Sequence, residues 1–148
     1  MSQLLPILHI DDERADAILV ERACKELKVP NPVIHFFNGK EALRYLKNEN
    51  NKKPLFILAD LNTPEMNAFE FLEFARNDTT LKMIPVVILS GSGDEDDVAK
   101  CFALGAVGYM VKPFEYKEMV RMTKTVFEYW NLSQLPNKKQ MVLQKFSV

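Results

Sequence analysis

The sequence predicts a doubly wound α/β domain, a five-stranded parallel sheet with helices on both faces. Three observations predict it. Short, almost continuously apolar runs alternate five times with segments of helical period, as expected of parallel strands covered on both sides. Polar or charged residues stand at or just beyond the carboxyl ends of several of these runs, where ligands bind in such sheets. The length of 148 residues fits one domain with a substantial core.

Strands are expected at Leu4–Ile10, Val33–Phe37, Leu55–Asp60, Pro85–Ser90 and Gly108–Val111. Helices are expected at about residues 13–28, 39–48, 67–77, 94–104 and 115–130. In the first helix Ala15, Leu19, Ala23 and Leu27 recur every four residues, marking the buried face. Met119, Met122, Val126 and Trp130 mark that face in the last. Asn38 with Glu41 and Asn67 with Glu70 read as capping boxes opening the second and third helices. The acids Asp94, Glu95, Asp96 and Asp97 occupy the fourth helix's first turn, where the macrodipole favours negative charge, and Gly105 stands where that helix should stop.

Composition excludes several function classes. Apolar residues make up 47% and charged residues 26%, ordinary for a globular chain, and the net charge of −1 gives no reason to expect a nucleic-acid or membrane partner. No apolar run approaches the ~20 residues needed to span a bilayer. The N-terminus lacks the basic flank and small-residue cleavage site of a signal peptide. The only cysteines, Cys24 and Cys101, fall in helical segments and read as reduced thiols, so the expected location is the cytoplasm. The last stretch, residues 131–148, differs from the rest. It has no acid, carries Lys138, Lys139 and Lys145, is interrupted by Pro136, and holds Met141, Val142, Leu143, Phe146 and Val148. The division is therefore a domain over 1–130 and a C-terminal extension over 131–148. That extension is either a loose terminus or an arm packing on the domain or on a second copy of it.

Crossovers of one hand bring the carboxyl ends of all parallel strands to a single edge. Asp11, Asp12, Asp60, Ser90 and Lys112 all fall there. One strand-end aspartate is usually a helix cap; five converging groups call for more than capping. Three adjacent carboxylates raise one another's pKa unless a cation intervenes. A hard divalent ion such as Mg²⁺ (or Mn²⁺), held by Asp11, Asp12 and Asp60 with the main-chain carbonyl of Asn62, would relieve that. Asp60 is the candidate nucleophile toward phosphorus, and its product would be an acyl phosphate. Lys112 would meet a phosphoryl oxygen opposite the metal, and Ser90 would donate a hydrogen bond to another. Each also has a plainer reading: Asp11 as a cap, Ser90 beside a helix start, Lys112 as a surface lysine before a turn at Pro113.

The pieces LHIDDE, ADLNTPEM, VVILSGSG and GAVGYMVKPF, in this order and spacing over residues 4–130, resemble the receiver domain of two-component response regulators. The resemblance implies a flavodoxin-like sheet of order 2-1-3-4-5 and phosphorylation of Asp60 by a sensor histidine kinase with Mg²⁺ at Asp11 and Asp12. It implies a switch in which Ser90 swings toward the phosphoryl group and Tyr109 changes rotamer, and a cis Lys112–Pro113 peptide. It also implies a phosphoacceptor switch that assists its own phosphorylation and dephosphorylation and signals by protein–protein contacts with a downstream protein. TVFEYWNLSQLP resembles the extension of phytochrome-associated single-domain regulators, implying a phytochrome-type kinase and a homodimer. Departures are Asn67–Ala68 for the usual Asp-Gly, Thr63 for a common Met, and Gly91 for the usual Ala, which should loosen its loop. Asn62 and Ser92 sit where the family tunes phosphoryl lifetime.

Other classes fit less well. An aspartyl-phosphate phosphatase of the haloacid dehalogenase kind needs an acid two residues after the nucleophile, where this chain has Asn62. A flavin-binding module of the same fold needs a phosphate cradle after the first strand, where Asp11, Asp12 and Glu13 repel phosphate. A receiver-like interaction module that is never phosphorylated would have no need of Asp60 and Lys112.

Overall fold

The structure, a computed structural model, describes residues 4–136. The expected Met141–Val148 packing arm lies outside the described residues. Five strands, β1 (Ile7–Ile10), β2 (Val33–Phe36), β3 (Ile57–Ala59), β4 (Val86–Ser90) and β5 (Gly108–Val111), alternate with five helices, α1 (Arg14–Glu26), α2 (Gly39–Lys47), α3 (Ala68–Arg76), α4 (Glu95–Ala103) and α5 (Tyr116–Leu132). The strands form one parallel sheet in the order β2-β1-β3-β4-β5, as expected.

Three strands, β1, β3 and β4, start later than the apolar runs suggested. Pro6 offers no N–H to a ladder, so β1 begins at Ile7, and β4 likewise begins after Pro85. The carbonyls of both prolines are still used: Leu55 N–H donates to Pro6 O and Ile57 N–H to Pro85 O. The central strands β1, β3 and β4 are buried throughout, whereas the edge strands β2 and β5 are largely half-buried.

Each sheet face carries its own core. On one, Leu8, Ile10, Ile57 and Ile88 pack with Leu43 and Leu46 of α2, Phe71 and Leu72 of α3 and Cys101 of α4. On the other, Ile7, Leu58, Val87 and Leu89 pack with Val20, Ala23 and Cys24 of α1 and Met119, Val126, Phe127 and Trp130 of α5. Phe56, fully buried, stacks edge-on against Phe127 at 5.1 Å and lies at 6.5 Å from Trp130. Leu135, beyond α5, packs on this second core, so the start of the extension returns to the domain. Cys24 and Cys101 are buried free thiols in different cores, and burial pushes their pKa up to about 12 and about 11.

The helix starts follow the sequence closely. Asn67 and Glu70 form a complete capping box. Asn38 accepts from Glu41 N–H, but the Glu41 carboxylate reaches one residue further back, to Phe37 N–H. Asp94 caps α4 by accepting from Asp97 N–H, and Gly105 takes a φ of +105° just past its end. The buried face of α1 differs from the expected one. Ala15 is exposed, and the face turned inward is Val20, Ala23 and Cys24. A four-residue repeat drifts around a 3.6-residue helix, so it misplaces the stripe over three turns.

Candidate functional site

The sheet register builds the site. Ile10 of β1 stands opposite Ala59 of β3, so the next residues on each chain, Asp11 and Asp60, emerge side by side. The ladder carries on past both strands: Asp11 N–H donates to Phe36 O at 2.9 Å and Asp60 N–H to Ile10 O at 2.7 Å. At the far edge Ser90 pairs with Val111, and Lys112 N–H donates to Ser90 O at 2.7 Å. Oxygen atoms of Asp11, Asp12 and Asp60 lie within 4.8 Å of one another. Asp11 is fully buried, Asp60 half-buried and Asp12 exposed.

Lys112 reaches across the sheet edge into this cluster. Its Nζ lies 3.0 Å from Asp11 Oδ2, 3.2 Å from Asp60 Oδ1 and 2.7 Å from Asp16 Oδ2. Burial alone would lower its pKa; the hydrogen bonds it donates to Asp16 and Asp11 and the charges of Asp11 and Asp60 raise it above the ordinary lysine value instead. The carboxylates are under the opposite strain. Burial pushes Asp11 up to about 6, with Asp60 adding to the rise and Glu13 N–H and Lys112 opposing it. Asp60 is also raised, by burial first and by the charge of Asp12, against the pull of Lys112. One ammonium therefore does not neutralise the cluster. An all-oxygen donor set with residual negative charge fits a hard divalent cation.

Two histidines lie behind Asp11. His9 of β1 faces His35 of β2 in register, with ring centroids 5.7 Å apart. His35 Nε2 donates to the main-chain carbonyl of Asp11 at 2.6 Å. His9 is buried with its Nε2 3.7 Å from Asp11 Oδ2 and without a hydrogen-bond partner, and burial lowers its pKa to about 3.

The remaining expected residues lie around this core. Ser90 is buried at the end of β4, and its Oγ accepts from Ser92 N–H at 3.2 Å. The Tyr109 hydroxyl donates to Ser92 O at 2.6 Å while its ring packs on the α2–α4 core, so both switch candidates hold the same loop. Asn62 is exposed just past Asp60. Thr63 is buried, its hydroxyl donating to Met66 O at 2.7 Å. No peptide bond among the described residues is cis, so Lys112–Pro113 is trans. This corrects the expectation of a cis bond; trans is the isomer X–Pro bonds favour by about 0.5–1 kcal/mol.

Sequence reasoning missed Asp16, His9 and His35. An acid in the first turn of a helix is common, so Asp16 carried no signal by itself. Its place four residues after Asp12, in the first turn of the helix that leaves the acidic pair, was the available clue. Nothing in the sequence set His9 and His35 apart from ordinary strand residues.

Residues 7–124 match the response regulator receiver domain. The chain belongs to that family. Response regulator Rcp1 of Synechocystis sp. is 32% identical to this receiver over 128 residues, covering 84% of this chain and 87% of that protein. The structure of the phosphorylated cyanobacterial phytochrome response regulator RcpA superposes with a TM-score of 0.83 at 33% identity, covering 90% of this chain and 99% of that one. The Mn²⁺-bound form of response regulator Rcp1 gives 0.81 at 31% identity, again covering 90% and 99%. Membership makes this a two-component signalling protein. Its family implies phosphorylation on an aspartate and interaction with histidine kinases, and the acidic pocket suits a divalent metal. No helix among the described residues is long and apolar enough to cross a membrane.

Proposed function

We propose that this receiver accepts a phosphoryl group on Asp60 from a sensor histidine kinase and signals through protein–protein contacts. The observation that carries the reading is Asp60 beside Asp11 at the sheet edge, with Lys112 Nζ 3.2 Å from its carboxylate. In the transfer an Asp60 oxygen bonds to phosphorus as the P–N bond to the donor imidazole breaks. The electron pair leaves with the imidazole nitrogen. Asp11, Asp12, Asp60 and the Asn62 carbonyl would hold Mg²⁺ or Mn²⁺, which when bound neutralises charge on the phosphoryl oxygens. Lys112 moves one N–H from Asp60 to a phosphoryl oxygen, and the Ser90 hydroxyl turns to another. Ser90 then no longer accepts from Ser92 N–H, and Tyr109, bonded to the same Ser92, repositions with the loop.

On this reading the chain is a switch that assists its own phosphorylation and dephosphorylation, not an enzyme turning over a separate substrate. Likeness to RcpA, a phytochrome response regulator, supports a phytochrome-type kinase as partner. The receiver unit spans 1–130 and the extension 131–148; Leu135 against the α1–α5 core supports a packing role for the extension, and exposed Tyr129 and Leu132 at the end of α5 support contact with a second copy. The buried free thiols suit a reducing cytoplasm.

The test is intact-mass measurement after incubation with a small acyl-phosphate donor and Mg²⁺. Wild type gains one phosphoryl group and Asp60→Asn gains none. Equal labelling of both would remove Asp60 from the role.

A further inference from the structure

We infer that Asp16 is a positioning residue for phosphoryl transfer: it fixes the Lys112 ammonium in place once Asp11 and Asp60 are engaged elsewhere. The inference rests on the phosphoacceptor reading of Asp60.

An ammonium has three N–H donors. Here three carboxylates meet it, and Asp16 is the nearest, at 2.7 Å against 3.0 Å for Asp11 and 3.2 Å for Asp60. The three acceptors are not equivalent. Asp11 and Asp60 belong to the set whose oxygens gather closely enough to hold one cation, and Asp16 does not. Phosphorylation consumes an Asp60 oxygen, and metal binding competes for Asp11. Both changes weaken the lysine's hold on those two carboxylates and leave Asp16 untouched.

Asp16 is also carried on an element that the reaction does not touch. It lies in the first turn of α1, which packs on α5 through the second core. Lys112 carries a flexible four-carbon stem from the exposed end of edge strand β5. Without Asp16 the ammonium would have two acceptors in the resting site and fewer in the reacting one. It would spend less time against the phosphoryl oxygen it must stabilise. The plainer role for Asp16, an acid favoured by the helix dipole, would affect α1 stability but not the rate through Lys112.

The experiment uses the full chain as wild type, Asp16→Asn, Lys112→Met and the double variant, with a small acyl-phosphate donor at saturating Mg²⁺ and intact mass followed over time. Asp16→Asn should slow labelling about tenfold, the loss of one charge-assisted hydrogen bond. In the Lys112→Met background the same change should slow it no further. Asp16→Glu, which keeps a carboxylate, should recover part of the rate. A second readout is ¹⁵N NMR of the Lys112 ammonium with Mg²⁺ and beryllofluoride, where the slowed proton exchange of wild type should be lost in Asp16→Asn.

Wild-type rate in Asp16→Asn, an equal slowing in both backgrounds, or an unchanged ammonium signal would overturn the inference. If wild type itself takes no label, the phosphoacceptor reading fails first. If wild type labels normally and Asp16→Asn labels with it, only the role of Asp16 fails.

Discussion

Replacing Asp11 by Asn should make the metal-free protein more stable while removing its response to Mg²⁺. Asp11 is a fully buried carboxylate whose folded pKa is pushed from 3.8 up to about 6, chiefly by burial. A folded pKa above the unfolded one means that the folded state holds the proton more tightly. The contribution is stabilising below pH 3.8 and is lost as pH rises through about 6. At neutral pH the ionised group therefore costs up to about 3 kcal/mol, at 1.36 kcal/mol per pH unit. An Asn side chain keeps the oxygen that accepts from Glu13 N–H but turns an amide toward Lys112. The net gain should then be about 2 kcal/mol. The assay is urea unfolding at pH 7.5 in chelator and again in Mg²⁺. Wild type should gain about 2.7 kcal/mol at a hundredfold excess of Mg²⁺ over its Kd, and Asp11→Asn much less. A variant less stable than wild type in chelator, or one with the full Mg²⁺ gain, would refute the reasoning.

Four further outcomes follow from the same geometry. His9, with a pKa lowered to about 3 by burial, should show flat imidazole proton shifts in NMR from pH 8 to about 4.5; its neutrality favours the fold above pH 6.5, and that stability is lost on acidification as the unfolded chain takes up the proton first. A methyl at Gly91 meets no atom within 4 Å and Gly91 has no positive φ, so Gly91→Ala should stabilise by about 0.4–1 kcal/mol; a methyl at Gly39 would lie 3.1 Å from Met66 Cγ and 3.2 Å from its carbonyl, so Gly39→Ala should lower the thermal midpoint. Phe56→Ala removes the ring between Phe127 and Trp130 and should cost about 3–5 kcal/mol in denaturant unfolding, while leaving the Mg²⁺ affinity of the folded protein near wild type.

Much of this molecule was legible because its signals are local. Asn38, Asn67 and Asp94 announce helix starts through hydrogen bonds that span three residues. Apolar runs announce buried parallel strands, and strand ends announce the ligand-binding edge. Asp11, Asp60 and Lys112 could thus be brought together before any coordinates. What stayed hidden depends on distant partners. The rotation of α1 about its axis is set by α5 and the sheet, not by its own four-residue repeat. Asp16 meets Lys112 across 96 residues of sequence, and His9 meets His35 through the register of β1 and β2. The trans Lys112–Pro113 bond was misjudged because the expectation came from family likeness and not from the residues themselves.

The most direct measurement locates the phosphoryl group. The protein would be incubated with Mg²⁺ and a small acyl-phosphate donor, reduced with borohydride to convert any aspartyl phosphate to homoserine, and mapped by tandem mass spectrometry. The account predicts homoserine at position 60 alone. Homoserine at position 11, 12 or 16, or an unmodified position 60 in a protein that has gained phosphate, would contradict it.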